Sequence, residues 1–90
     1  MLIQFDYQAV SSVLRKIRRK KGLSQEVVSG LAGIARTHLT MIETGSKQPN
    51  LETFWKLAQA LDISASQLMI LVEQEIAKED SCTQNSPRKI

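Results

Sequence analysis

Residues 22–50 read GLSQEVVSGLAGIARTHLTMIETGSKQPN, and the way this stretch divides decides the fold. Two short apolar-periodic runs lie in it, separated by a few small residues around Gly33. Ser24 is a good N-cap, with Gln25 and Glu26 in the turn that follows. The first run predicts a helix ending near residue 31 or 32, with Gly33 as its stop. In the second run Leu39 and Ile42 point inward, with Ile34 ahead of them. They predict a helix over 36–44, ended by Gly45. Arg36, Thr37, His38, Thr40, Met41 and Thr44 fall outside that inward set, so the second helix keeps a broad exposed face.

Working outward, Val10, Val13, Leu14 and Ile17 repeat at i, i+3, i+4 and i+7, one face of a helix over about 7–21. Asp6 suits its N-cap and Gly22 its C-terminal stop, and the basic residues of the last turn complement the helix dipole. Downstream, SKQPN reads as a loop and Asn50 as the cap of a helix over about 51–61. Leu51, Phe54, Leu57, Ala58 and Leu61 form the expected inner face of that helix. Ser64 caps a last helix, expected to run from about 65 to 78. The remainder, 79–90, has no apolar pattern and is expected to be a disordered tail. The prediction is all-α: one domain over 1–78, five helices, no strand and short loops.

The totals agree. Ninety residues make one domain, and aromatics at 4% leave the core to aliphatic side chains. Residues 1–30 carry six basic and two acidic side chains, while residues 51–80 carry two basic and six acidic. The molecule therefore has a positive and a negative end, and a positive end faces polyanions. One cysteine, Cys82, excludes an internal disulfide framework and fits a reducing cytosol. The N-terminus lacks the pattern of a signal peptide. The longest apolar run, MILV at 69–72, is too short to span a bilayer. A cytoplasmic protein with no membrane partner is expected.

The pair of helices around Gly33 reads as a helix-turn-helix. The wider pattern resembles the Cro and cI-type (Xre-like) regulators over about residues 10–70. The resemblance rests on Gly22-Leu23-Ser24-Gln25, the turn Gly33, Ile42-Glu43, Gly45, Pro49 and the run from Phe54 to Ser64. It implies a compact five-helix, lambda-repressor-like domain that binds double-stranded DNA as a homodimer. The second helix of the motif would enter the major groove by its N-terminal residues. An exposed face without carboxylates is what such a helix needs.

On that resemblance Arg36, Thr37, Thr40 and Met41 are the expected base readers. Arginine suits guanine O6 and N7, threonine a base edge or a thymine methyl, and methionine an apolar contact. Ser24, Gln25, His38, Ser46, Lys47 and Asn50 are expected on the phosphate backbone, where contacts set register. Arg18 is expected to pair with Glu43, tying the first helix to the recognition helix. Most of the basic run from Arg15 to Lys21 reads instead as a solvated face. Ala35 stands where the family often has a capping side chain, so the recognition helix is expected to start uncapped. Val27 and Leu31 occupy usually polar positions and are expected to pack on the last helix, on the N-terminal segment or in an interface.

Leu68, Met69, Leu71, Val72 and Ile76 make a stripe on the last helix that five short helices would not cover, and they are the expected dimer interface. A dimer would set two recognition helices about 34 Å apart and demand a roughly palindromic operator. RNA polymerase is the further partner implied, blocked or recruited. RTHLTMIE followed by a long last helix is also similar to the controller proteins of restriction-modification systems. The alternative is a protein-interaction module of antitoxin-like or bridging-factor type. Catalysis is not expected, since no nucleophile–base pair or phosphate-cradling glycine loop is present. Nor is a cofactor or metal, since one histidine and one cysteine are too few ligands.

Overall fold

Four polar side chains start four of the five helices. The computed structural model describes residues 4–88, with side chains described for 4–78. Asp6 accepts from the N–H of Gln8 at 3.0 Å and opens α1, Tyr7–Lys20. Ser24 accepts from Val27 N–H at 3.1 Å and opens α2, Gln25–Ala32. Asn50 accepts from Thr53 N–H at 2.8 Å and opens α4, Leu51–Ala60. Ser64 accepts from Gln67 N–H at 3.0 Å before α5, Ala65–Arg88. The exception is α3, Arg36–Thr44, whose N-cap Ala35 makes no side-chain bond to the orphan amides.

Two glycines turn the chain on either side of α3. Gly33, at φ 73°, closes α2, and its N–H bonds to the carbonyls of Gly30 and Ser29. Gly45, at φ 83°, closes α3 with its N–H directed to Ile42 and Met41. A Cβ at Gly45 would lie 2.6 Å from the amide oxygen of Gln8, but that exposed side chain can swing aside, so it is the left-handed conformation that requires glycine there.

The core takes Ala9, Val10, Val13 and Leu14 from α1, Val28 and Ala32 from α2, and Leu39 and Ile42 from α3. Phe54, Leu57, Ala58 and Leu61 join from α4 and its end, and Leu68 and Val72 from α5. All but Phe54 are aliphatic. α2 packs against α4 and α3, α1 lies against both α3 and α5, and α4 meets α5. α3 is thus braced from behind on two sides while its outer face stays open.

Three expectations are corrected. Leu68 and Val72 are fully buried within the single chain, so they are core and not a dimer interface. Their face of α5 is covered by α1 and α4, which the pattern of α5 alone does not disclose. Leu71 and Ile76 are half-buried at the margin of that core, and Met69 alone of the five expected positions is exposed. Leu51 is 81% exposed rather than inward. Helical side chains lean toward the N-terminus, and at the first position of α4 that direction runs off the helix end. Finally, α5 continues to Arg88, through the segment expected to be a separate tail; no glycine interrupts it and its first proline is Pro87. Val27 and Leu31, given three possible coverings, have none among the described residues and are exposed.

Candidate nucleic-acid interface

The outer face of α3 is built by elimination. Leu39, Ile42 and Glu43 are buried. Arg36, Thr37, Met41 and Thr44 are exposed, and His38 and Thr40 are half-buried at the margins. The only carboxylate on α3 is therefore the one turned inward. What remains outward is a cation at the first turn followed by hydroxyl and thioether groups.

Glu43 is held from two other helices, α1 and α2. Arg18 on α1 grips it in bidentate fashion, Nε to Oε2 at 2.7 Å and Nη2 to Oε1 at 2.9 Å. The Arg18 side chain is 11% exposed and that of Glu43 3%. Arg18 Nη1 also donates to the carbonyl of Leu23 at 2.9 Å, anchoring the segment before α2. Gln25, from the first turn of α2, donates its amide nitrogen to Glu43 Oε1 at 3.0 Å. Thr40 then donates its hydroxyl to Gln25 Oε1 at 2.9 Å. Burial works to raise the pKa of the Glu43 carboxyl. The bonds from Arg18 and Gln25, with the charges of Arg18 and Arg15, outweigh it and hold the carboxyl below its ordinary value. The same bond holds the Arg18 guanidinium above its own, against the opposing effect of its burial.

The pairing of Arg18 with Glu43 thus stands in the fold as the resemblance implied. Two neighbours of this seam were not foreseen. Arg15, assigned to a solvated face, is half-buried and donates to the backbone carbonyl of Glu43. Ser11, buried, donates to the carbonyl of Ile42 at 2.6 Å. Both satisfy carbonyls near the C-terminus of α3, which a helix leaves without intrahelical partners. The only hint in the sequence was that Arg15 stands three residues before Arg18 on one helical face.

The residues expected on the phosphate backbone are placed unevenly. Ser24 spends its hydroxyl oxygen capping α2, and Asn50 its carbonyl oxygen capping α4. The Gln25 amide is drawn inward onto Glu43 and Thr40 rather than standing free at the helix start. Ser46 folds back on the carbonyl of Met41 at 3.2 Å, while Lys47 is exposed beside it. Gln25 and Thr40 meet across the α2–α3 turn, Arg36 stands one turn before Thr40 on α3, and the loop with Ser46 and Lys47 follows directly from α3. Apart from Met41 on α3 and Val27 and Leu31 on α2, the large apolar residues left open lie on α1, α4 and α5 and before α1. Phe5, Tyr7, Leu51 and Met69 line one shallow groove together with Phe54. Trp55, one turn beyond Leu51, is 58% exposed, and Ile70, beside Met69, is 43% exposed. Neither Trp55 nor Ile70 was singled out from the sequence as interface-forming.

This arrangement, a braced short helix presented behind a second helix and a left-handed glycine turn, is a helix-turn-helix of the Xre-like, Cro/cI type. The chain belongs to the Helix-turn-helix family, which it matches over residues 14–68. The family is one of transcriptional regulators and not of enzymes. Among its relatives, the HTH-type transcriptional regulator y4dJ of Sinorhizobium fredii is 38% identical over 60 residues, covering 67% of this chain and 78% of that one. YqaE, an HTH-type regulator of Bacillus subtilis, is 34% identical over 59 residues, which span 66% of this chain but 51% of YqaE.

Solved structures narrow the likeness. The restriction-modification controller protein C.AhdI from Aeromonas hydrophila superposes with a TM-score of 0.67 at 38% identity, over 70% of this chain and 96% of that one. The wild-type controller protein C.Esp1396I gives 0.77 at 28% identity, over 83% and 97%. The C.Esp1396I tetramer in complex with its natural 35 base-pair operator gives 0.75 at 27% identity, over 81% and 96%. Among the described residues, no helix is long and apolar enough to cross a membrane.

Proposed function

We propose that this chain is a sequence-specific double-stranded DNA-binding regulator that acts as a homodimer on a palindromic operator. The observation that carries the reading is the outer face of α3, where Arg36, Thr37 and Met41 are exposed while the helix's one carboxylate is buried and paired. A helix free of outward negative charge enters the phosphate-lined major groove without repulsion. In this reading Arg36 reaches guanine, with Thr37, Thr40 and Met41 along the same groove. Lys47, His38, the first-turn amides of α2, the free amide hydrogens of Gln25 and Asn50 and the hydroxyl oxygen of Ser46 face the backbone.

The likeness to an operator-bound controller protein supports the same reading and the controller subtype. It also supports self-association. In our reading the second copy covers the open apolar surface of Tyr7, Leu51, Trp55, Met69 and Ile70. Bound in the cytoplasm to its operator, such a dimer would exclude or recruit RNA polymerase by position alone, with its own concentration as the signal. One observation favours the protein-interaction alternative: Val27 and Leu31 on α2 are exposed and unpartnered among the described residues.

The test is selection from a pool of randomised duplexes at two salt concentrations. An inverted repeat with half-sites about one helical turn apart supports the proposal. Uniform, salt-sensitive binding with no enriched motif overturns it, and makes the α2 surface the first place to look for a protein partner.

A further inference from the structure

The bonds running from Arg18 to Thr40 have a direction. An ionised carboxylate only accepts hydrogen bonds. Gln25 must therefore turn its NH2 toward Glu43 Oε1, 3.0 Å away, because the flipped amide would set oxygen against oxygen. That leaves Gln25 Oε1 facing the Thr40 hydroxyl at 2.9 Å. An amide oxygen also only accepts, so Thr40 donates. The second neighbour of the same hydroxyl, the backbone carbonyl of Arg36 at 3.1 Å, is again an acceptor. The single hydroxyl proton is committed inward whichever oxygen takes it. Only lone pairs remain for the open side of α3. Thr37, one turn earlier on the exposed face, has no such partner among the described residues and is free to donate or accept.

Resting on the proposal that α3 enters the major groove, we infer that Thr40 is a one-way reader that accepts from a base amino group and is mismatched to a base carbonyl. In the major groove the amino donors are adenine N6 and cytosine N4, and the exocyclic carbonyl acceptors are guanine O6 and thymine O4. The buried charge of Glu43 thereby sets, through Gln25, the polarity of a contact made at the protein surface. At the base facing Thr40 the preference divides amino from carbonyl bases, and not purines from pyrimidines.

The test uses the full chain and the operator recovered by selection. Thr40→Val, Thr40→Ala and Thr40→Ser are compared with the parent, each checked for an unchanged melting temperature. The inference expects Thr40→Val to lose about fivefold discrimination at one base pair per half-site, and Thr40→Ser to keep it. At that base pair, replacing adenine by unsubstituted purine, or cytosine by 2-pyrimidinone, removes the amino group alone. This should weaken the parent about fivefold and leave Thr40→Val unchanged. Thr40→Ala repeats the comparison if valine disturbs the helix. An operator whose Thr40-dependent base instead responds to loss of a carbonyl overturns the inference and leaves the DNA-binding reading standing. So does an operator with no Thr40-dependent position. Recovery of no operator by the parent overturns both.

Discussion

The seam between α1 and α3 and the outer surface of α4 and α5 are finished in opposite ways. In the seam, Arg18, Glu43, Gln25, Thr40 and Ser11 are bonded to one another or to backbone carbonyls, and no buried side-chain nitrogen or oxygen is left without a partner among the described residues. On the outer surface, Leu51, Trp55, Met69 and Ile70 lie open although Leu57, two residues after Trp55, and Leu68, next to Met69, are fully buried. The first region is closed within one chain. The second is completed, in our reading, by another. A polar seam is costly to break because each buried group then loses its partner. An apolar surface is costly to leave open because each uncovered side chain forgoes burial worth about 1.5–3 kcal/mol.

The largest effect should come from breaking the seam. Glu43→Ala strands Arg18 in a site it can barely leave, and should cost about 3–5 kcal/mol. Thermal denaturation should show a melting point lower by well over about 10 °C; an unchanged one would refute the structural role of the pair. Replacing both partners, Arg18→Met with Glu43→Leu, should recover much of the loss, because no unpaired charge remains.

The open surface should answer differently. Met69→Arg should leave the fold of the single chain within about 0.5 kcal/mol. It should weaken the dimer by roughly 2 kcal/mol or more, about 30-fold in dissociation constant, by burying a charge there. Sedimentation across a concentration series measures this. A dimer unaffected by the arginine would move the interface away from α5.

Acid should loosen the seam and spare the apolar surface. The Glu43 carboxyl titrates lower in the fold than its unfolded value of 4.5. The pair's contribution is thus fully present above about pH 4.5 and is lost as pH falls through the lower folded value. Urea unfolding between pH 3 and 6 should show this loss in the parent and not in Glu43→Gln. The smallest change is a gain. Ala35→Ser supplies the missing cap of α3 and should stabilise by about 1 kcal/mol, raising the melting point by about 4–8 °C.

Chemistry acting within a few residues was legible in the sequence. Asp6, Ser24, Asn50 and Ser64 cap helices, Ala35 does not, and Gly33 and Gly45 turn the chain, all as their types and positions predicted. These are contacts between neighbours, so the order of residues contains them. The core positions of α1 and α3 followed from periodicity for the same reason. The pairing of Arg18 with Glu43 came from family resemblance and not from spacing, since 25 residues separate them.

Only the tertiary structure decided which apolar side chains were covered and which way polar ones turned. Leu68 and Met69 are adjacent, yet one is fully buried and the other 39% exposed, because α1 and α4 lie on one side of α5 alone. Periodicity names a face but not what stands opposite it. Arg15 and Gln25 found partners 28 and 18 residues away in sequence, too far for any local pattern to signal. The direction of the Gln25 amide, and with it the polarity of Thr40, was settled by a buried charge on another helix. A hydrogen bond needs a partner in space, and the sequence by itself fixes only neighbours along the chain.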